Sequence, residues 1–241
     1  MKQIYFISDV HLSLVNSDAE SLKREKLLAF LDSITQPQAT LYILGDLFDF
    51  WFEWHHVIPK YWWEILYKFR RMTEAGMELH FVTGNHDFYT GRFLEESIGM
   101  TCWDDAAVFE AGGKRFYAAH GDGLAAKDRG YRFLKRVIRN RASIFMFKNF
   151  IPADWGMQLA KWTSHTSREL KQIDQVAWSE EYFSFAEGKF DQGFDVVLLG
   201  HVHLPMIREK GGRVYVNCGD WLNHRSFAQF DGRDIHLKKW E

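Results

Sequence analysis

The ten residues Val196–Pro205, VVLLGHVHLP, set the reading of the whole chain. Four consecutive aliphatic residues end at Gly200, and two imidazoles follow, one residue apart. Alternate residues of an extended segment face the same way, so His201 and His203 can serve one site. A lone histidine at a strand end is more often a structural hydrogen-bonder than a ligand. A pair at this spacing calls for partners elsewhere in the chain.

The partners stand at the ends of other apolar, strand-like runs. IYFIS (Ile4–Ser8) leads into Asp9-Val10-His11, and ATLYIL (Ala39–Leu44) into Gly45-Asp46-Leu47-Phe48-Asp49. MELHFVT (Met77–Thr83) leads into Gly84-Asn85-His86-Asp87, and RFYAA (Arg115–Ala119) into His120-Gly121-Asp122. A sixth run, RVYVN (Arg213–Asn217), reaches Cys218-Gly219-Asp220. Helical patterns lie between the runs. Ser21–Ile34 carries leucines at helical spacing, and a second pattern near Pro59 sets Trp62, Trp63, Leu66, Phe69 and Met72 on one broad face before Gly76. This alternation predicts an α/β layered fold with its ligands outside the carboxyl ends of the strands.

With 241 residues, 46% hydrophobic and 26% charged, the chain suits one large domain or a domain carrying an insertion. Aromatics at 17%, including 10 Trp and 21 Phe, exceed what such a core needs, which points some of them at a binding surface. A net charge of −2 argues against a polycation built for nucleic acid. Cys102 and Cys218 form neither a ligand-spaced pair nor a disulfide framework, which favours a reduced, cytoplasmic setting. No uncharged stretch reaches bilayer-spanning length, so membrane contact is expected to be peripheral at most. The segment 124–193 differs from its surroundings: Arg132, Lys135, Arg136 and Arg139 alternate with oily residues, followed by the Phe145–Phe150 run, Trp155, Met157, Leu159 and Trp162. It reads as a helical insertion, or lid, within a core of 1–123 and 194–241.

The candidate ligands are Asp9, His11, Asp46, Asn85, His120, His201 and His203. Carboxylate, amide and imidazole without thiolate suit hard-to-borderline ions, with Mn2+ the first choice over Mg2+, Fe2+ or Zn2+. Seven ligands suit two ions rather than one, and Asp46 is the natural bridge. Two such cations, roughly 3.5–4 Å apart, polarise a phosphoryl oxygen and deprotonate water near neutral pH. His86 is placed to protonate a leaving oxygen, with Asp49 expected to orient it through a hydrogen bond. Each fragment taken singly reads as turn chemistry. Five strand ends carrying ligand-type residues in one order favour a dinuclear site.

The series Asp9-x-His11, Gly45-Asp46-x-x-Asp49, Gly84-Asn85-His86-Asp87, His120 and Gly200-His201-x-His203 resembles the calcineurin-like metallophosphoesterases. The resemblance implies a four-layer αββα sandwich with a helical insertion rather than one doubly wound sheet. It also implies Asp9, His11, Asp46 and His203 on one ion, and Asp46, Asn85, His120 and His201 on the other. Within that superfamily LYILGDLFDFW and HGDGLAAKDRGYRF look most like the UDP-2,3-diacylglucosamine hydrolases of lipid A synthesis, which release UMP and an acylated sugar phosphate. That likeness implies substrate contacts at Asp128, Ser164, Arg168 and Lys171, a lipid-linked nucleotide-sugar substrate, and a peripheral place on the inner membrane. The chain departs from the family with GNHD in place of GNRD and GHVHLP in place of GHTHRP. A phosphoesterase for a smaller nucleotide or phosphodiester, and a non-catalytic scaffold on the same fold, are the alternatives. The intact ligand set and His86 count against the scaffold.

Overall fold

Strand β1 (Ile4–Ile7) is buried on both faces, and this decides the layering. Tyr5 and Ile7 face one hydrophobic cluster, Ile4 and Phe6 another. A strand so placed must be central, with other layers covering it above and below. The computed structural model describes the main chain of residues 2–124, 129–170 and 175–241, with side chains for these except 129, 162–170 and 175–177.

β1 lies in a six-stranded sheet with β2 (Thr40–Leu44), β3 (Glu78–Val82), β4 (Thr101–Trp103), β10 (Ser226–Phe230) and β11 (Ile235–Lys239), in the order β11-β10-β1-β2-β3-β4. A second, five-stranded sheet contains β5 (Ala106–Ala111), β6 (Lys114–Ala119), β7 (Val196–Leu199), β8 (Met206–Lys210) and β9 (Arg213–Asn217), in the order β5-β6-β7-β9-β8. Both sheets are mixed. β1 to β4 pair in parallel, as do β6, β7 and β9, while β10, β11, β5 and β8 join antiparallel. Alternation of strands and helices alone predicts a single sheet. The chain divides into two because β4 closes one edge and the β5–β6 hairpin opens another two residues later.

The inner faces meet in a core of Ile4, Phe6, Tyr42 and Val82 against Phe116, Leu198, Val216 and Phe230. Phe116 is fully buried there, with Phe109 and Phe230 at centroid distances of 4.9 and 5.0 Å. Helices α1 (Asp18–Ile34) and α2 (Trp63–Glu74) cover the outer face of the first sheet. α1 starts earlier than its leucine pattern suggests because Ser17 caps it, accepting the Glu20 N–H at 3.1 Å. On α2, Leu66, Phe69 and Met72 are buried as the pattern predicts, but Trp63 is 63% exposed. Four further helices separate β6 from β7: α3 (Arg129–Ile138), α4 (Arg141–Phe150), α5 (Ala153–Leu170) and α6 (Gln175–Asp191). α6 is the fourth layer, laying Tyr182, Ala186 and Phe190 on Val197, Leu199 and Tyr215 of the second sheet. Among the described residues no helix is long and apolar enough to cross a membrane.

Parallel pairing brings the strand ends level. Ile7 is in register with Ile43, Leu44 with Val82, and Ala118 with Leu198. The polar clusters that follow these strands therefore emerge along one edge of the sandwich. Removing the aromatic wedge between the sheets should weaken the whole arrangement. Phe116→Ala is expected to destabilise the fold by about 3–5 kcal/mol, the usual effect of emptying a phenylalanine site. Urea denaturation would show this as a lower midpoint at unchanged slope.

Candidate metal centre

Each candidate ligand follows a strand, and five of the seven do so through backbone of unusual conformation. Asp9, His11, Asp46, His201 and His203 all have positive φ, between 49° and 68°. Among the described non-glycine residues only Gln38 and Arg225 share that conformation. L-residues resist it by roughly 1–2 kcal/mol each, so its concentration here marks a shape imposed by the site. Neighbouring glycines admit the crowding. A Cβ on Gly84 would collide with Asp46 Oδ1, and one on Gly200 with Ser8 Oγ.

The turns are tied to each other by their main chains. His11 N donates to Asp46 O at 2.9 Å, Asp49 N to Leu12 O at 3.0 Å, and Gly200 N to His120 O at 2.9 Å. Asp87, to which sequence reading gives no role, clamps two of the motifs together. Its buried carboxylate accepts from Gly84 N at 2.9 Å, Asp46 N at 3.1 Å, Leu47 N at 2.8 Å and Phe48 N at 3.3 Å.

Two groups of ligand atoms result. In the first, His203 Nε2 lies 3.1 Å from Asp9 Oδ1 and 3.3 Å from His11 Nε2, which is 3.8 Å from Asp9 Oδ1. In the second, His120 Nε2 lies 3.0 Å from Asn85 Oδ1, 3.1 Å from His201 Nδ1 and 3.4 Å from Asp46 Oδ2. Asp46 Oδ2 joins the groups, being also 3.7 Å from His11 Nε2. This one oxygen faces both groups, because Asp46 Oδ1 accepts the His86 N–H at 2.9 Å. All seven residues proposed from the sequence as ligands meet here.

The donor set fits divalent cations. Atoms bound about 2.1 Å from a shared cation stand roughly 3 Å apart, close to the spacings in both groups. Asp9 Oδ1 is buried and takes no hydrogen bond, whereas Oδ2 of the same carboxylate accepts from His201 N at 2.8 Å and from Ser8 Oγ. His120 Nδ1 donates to Leu44 O at 2.8 Å, which leaves the Nε2 lone pair turned inward. The field also demands positive charge. Burial should depress the His11 and His120 imidazoles, yet Asp49, Asp9 and Asp46 lift His11 to about 9, and Asp46 and Asp9 lift His120 to about 10. Burial likewise opposes ionisation of Asp9 and Asp46, but the surrounding imidazoles hold both carboxyls well below the usual range.

His86 sits at the rim, its side chain 18% exposed and its Nε2 3.9 Å from Asp46 Oδ2. Burial holds its pKa below the ordinary value, so its protonated form gives up a proton readily. The expected hydrogen bond from Asp49 takes a different form. The main-chain carbonyl of Asp49 accepts from His86 Nδ1 at 2.9 Å, while the carboxylate approaches His11 Nδ1 at 3.4 Å. Asp49 thus orients His86 through its backbone and supports His11 through its side chain.

The insertion is less as its sequence suggests. Lys135 and Arg139 do not point outward. Lys135 Nζ lies 2.8 Å from Asp122 Oδ2, and Arg139 Nη2 donates to Gly84 O at 2.7 Å. Phe147 alone of the Phe145–Phe150 run lines an apolar cleft of about 220 Å³, with Phe50, Phe52, Phe88, Ile138 and Ile144. Phe150 and Trp155 are instead 64% and 68% exposed. Asp128 and Lys171 lie outside the described residues, as do the side chains of Trp162, Ser164 and Arg168.

Comparison with known proteins fits this geometry. The family model for calcineurin-like phosphoesterases matches residues 2–205. A UDP-2,3-diacylglucosamine hydrolase of Porphyromonas gingivalis is 31% identical, covering 99% of this chain and 98% of its own. The Neisseria gonorrhoeae protein of that name is 32% identical over 96% and 95% of the two chains. Among solved structures, an archaeal phosphodiesterase covers 98% of this chain and 99% of its own at TM-score 0.46 and 15% identity. The chain belongs to the calcineurin-like phosphoesterase family, and it carries that family's chemistry as a metal-dependent hydrolase.

Proposed function

We propose that this chain hydrolyses the pyrophosphate bond of UDP-2,3-diacylglucosamine, adding water to give UMP and 2,3-diacylglucosamine 1-phosphate. The observation that carries the reading is the apolar cleft of about 220 Å³ beside the metal centre. Phe50 follows Asp49 directly and Phe88 stands two residues after His86, so the cleft shares its walls with the catalytic loops. A hydrolase for small, fully polar phosphodiesters gains nothing from such a wall. An acyl chain gains roughly 0.8 kcal/mol for each buried CH2. The full-length likeness to enzymes named for this substrate supports the same choice.

In this reading Asp9, His11, Asp46 and His203 would hold one cation, and Asp46, Asn85, His120 and His201 the other. When bound, the pair would supply Lewis acidity at the phosphoryl oxygen and lower the pKa of water toward neutrality, with Mn2+ the first candidate. His86, oriented by the Asp49 carbonyl, protonates the departing phosphate oxygen through Nε2. Within the insertion 124–193, α3 to α5 act as the lid while α6 belongs to the layered core: Phe147, Ile138 and Ile144 roof the cleft, and exposed Phe145, Phe150 and Trp155 rest on the membrane that holds the substrate. Asp128, Ser164, Arg168 and Lys171 are the proposed sugar and phosphate contacts.

Three outcomes are expected. Asp46→Ala, which removes the shared oxygen, should abolish hydrolysis while circular dichroism shows a folded protein; undiminished turnover would contradict the bridge. His86→Ala should lower kcat by roughly 10²–10⁴-fold, with elemental analysis showing wild-type metal content. A substrate stripped of both acyl chains should be cleaved with much lower kcat/KM than the diacyl form, and equal values would redirect the assignment to a soluble phosphodiester.

A further inference from the structure

The sixth strand end, Cys218-Gly219-Asp220, supplies no ligand, yet its carboxylate is fully buried beside the metal centre. Asp220 Oδ1 accepts the main-chain N–H groups of Asn223 at 2.8 Å and His224 at 3.0 Å, which fixes the turn after β9. Asp220 Oδ2 is different. It is buried without a hydrogen bond and lies 3.6 Å from His203 Nδ1. The loop is also anchored to the centre by its main chain, since Trp221 N donates to Asp9 O at 3.1 Å.

We propose that Asp220 is a positioning residue that holds His203 as the Nδ1–H tautomer, with the Nε2 lone pair aimed at the cation site shared with Asp9 and His11. The inference rests on the reading of this cluster as a metal centre. A buried carboxylate oxygen with no donor is unfavourable unless a neighbour supplies one, and His203 Nδ1 is the imidazole nitrogen beside it. At 3.6 Å the contact is electrostatic. Closing to hydrogen-bond length, roughly 2.8 Å, takes only a small tilt of the ring. His203 Nε2 already faces Asp9 Oδ1 at 3.1 Å. With the proton on Nδ1, this nitrogen is free to ligate. With the proton on Nε2, it is blocked. Two other histidines of the centre show the same device with other acceptors, whereas His201 turns its Nδ1 toward His120 Nε2. His120 Nδ1 uses the Leu44 carbonyl, and His11 Nδ1 faces the Asp49 carboxylate.

The test separates this role from that of capping a turn. In Asp220→Asn the amide oxygen still accepts from Asn223 and His224, but an NH2 donor replaces the oxygen facing His203. The donor favours the opposite tautomer. D220N is expected to keep the wild-type melting temperature without metal and to lose roughly 10–100-fold in affinity for one of two Zn2+ ions, read by competition with a chromogenic chelator. In the Zn2+-loaded wild type, 15N-resolved NMR of the imidazoles, assigned with His203→Gln, should show His203 protonated on Nδ1. Unchanged Zn2+ affinity in D220N, or a wild-type His203 protonated on Nε2, would overturn the role of Asp220 and leave the metal centre standing. A wild-type protein that binds no stoichiometric Zn2+ would overturn the metal centre itself, and the inference with it.

Discussion

Everything at this edge of the sandwich depends on one electrostatic arrangement. Imidazole nitrogens, an amide oxygen and two carboxylate oxygens converge where water is nearly excluded. Brought together without positive charge, those lone pairs and anions repel one another. A divalent cation between them would convert the repulsion into coordination, so the convergence has the character of a ligand field rather than of packing. The backbone bears the marks of that demand. Five candidate ligands sit in the left-handed region, a strain of several kcal/mol by the usual roughly 1–2 kcal/mol for each residue. It persists because the turns support each other: the Asp87 carboxylate takes four main-chain N–H groups, and His11, Asp49 and Gly200 bond across to neighbouring loops.

The part of this design that the sequence displays is the part written at fixed spacing. Asp9 and His11, or His201 and His203, are one residue apart after aliphatic runs, which marks each pair as site residues, but strand alternation is not what aims them: all four have positive φ, and His201 joins His120 while His203 joins Asp9. Parallel register then does the rest, because strands paired level with one another deliver their ends to one edge. Two sheets instead of one were not visible in the alternation of strands and helices. The deciding feature is an edge, at β4 and β5, where pairing stops, and hydrogen bonds that are not made leave no periodic signal. Asp87 and Asp220 were equally hidden. Both stand after strands among ligand-type residues, but a carboxylate that holds a loop looks, in sequence, like one that holds a metal. Asp49 shows the same ambiguity: its main chain serves His86 while its side chain serves His11.

The basic, oily insertion shows where composition misleads. Arginines and lysines interleaved with aromatics suggest a face for anionic headgroups, and exposed Phe150 and Trp155 keep part of that picture. Lys135 and Arg139 are half-buried and turned inward instead. Asp122, two residues after His120, accepts from Tyr131 Oη at 2.7 Å and pairs with Lys135 at 2.8 Å, while Arg139 lies 3.5 Å away. Burial would raise the Asp122 carboxyl, but His120, Lys135 and Arg139 together hold it at about 2. One anion therefore joins the first helix of the insertion to the loop that carries the candidate ligand His120.

That junction bears on how, in the proposed function, lipid recognition and phosphate chemistry would be connected. Arg139 also donates to the carbonyl of Gly84, the residue before Asn85, and its guanidinium lies over the Phe88 ring at 5.7 Å from the centroid. Phe88 is itself a wall of the apolar cleft, as is Ile138, the last residue of α3 and the neighbour of Arg139. The cleft and the centre thus share a helix, two loops and one ion-pair network rather than meeting across open solvent. A chain seated against Phe88 and Ile138 presses on the same elements that place Asn85, His86 and His120. If the proposed substrate seats its acyl chain there, binding energy gathered far from the reacting phosphorus has a direct route to the geometry of the centre, the general way in which a remote apolar contact raises kcat as well as affinity.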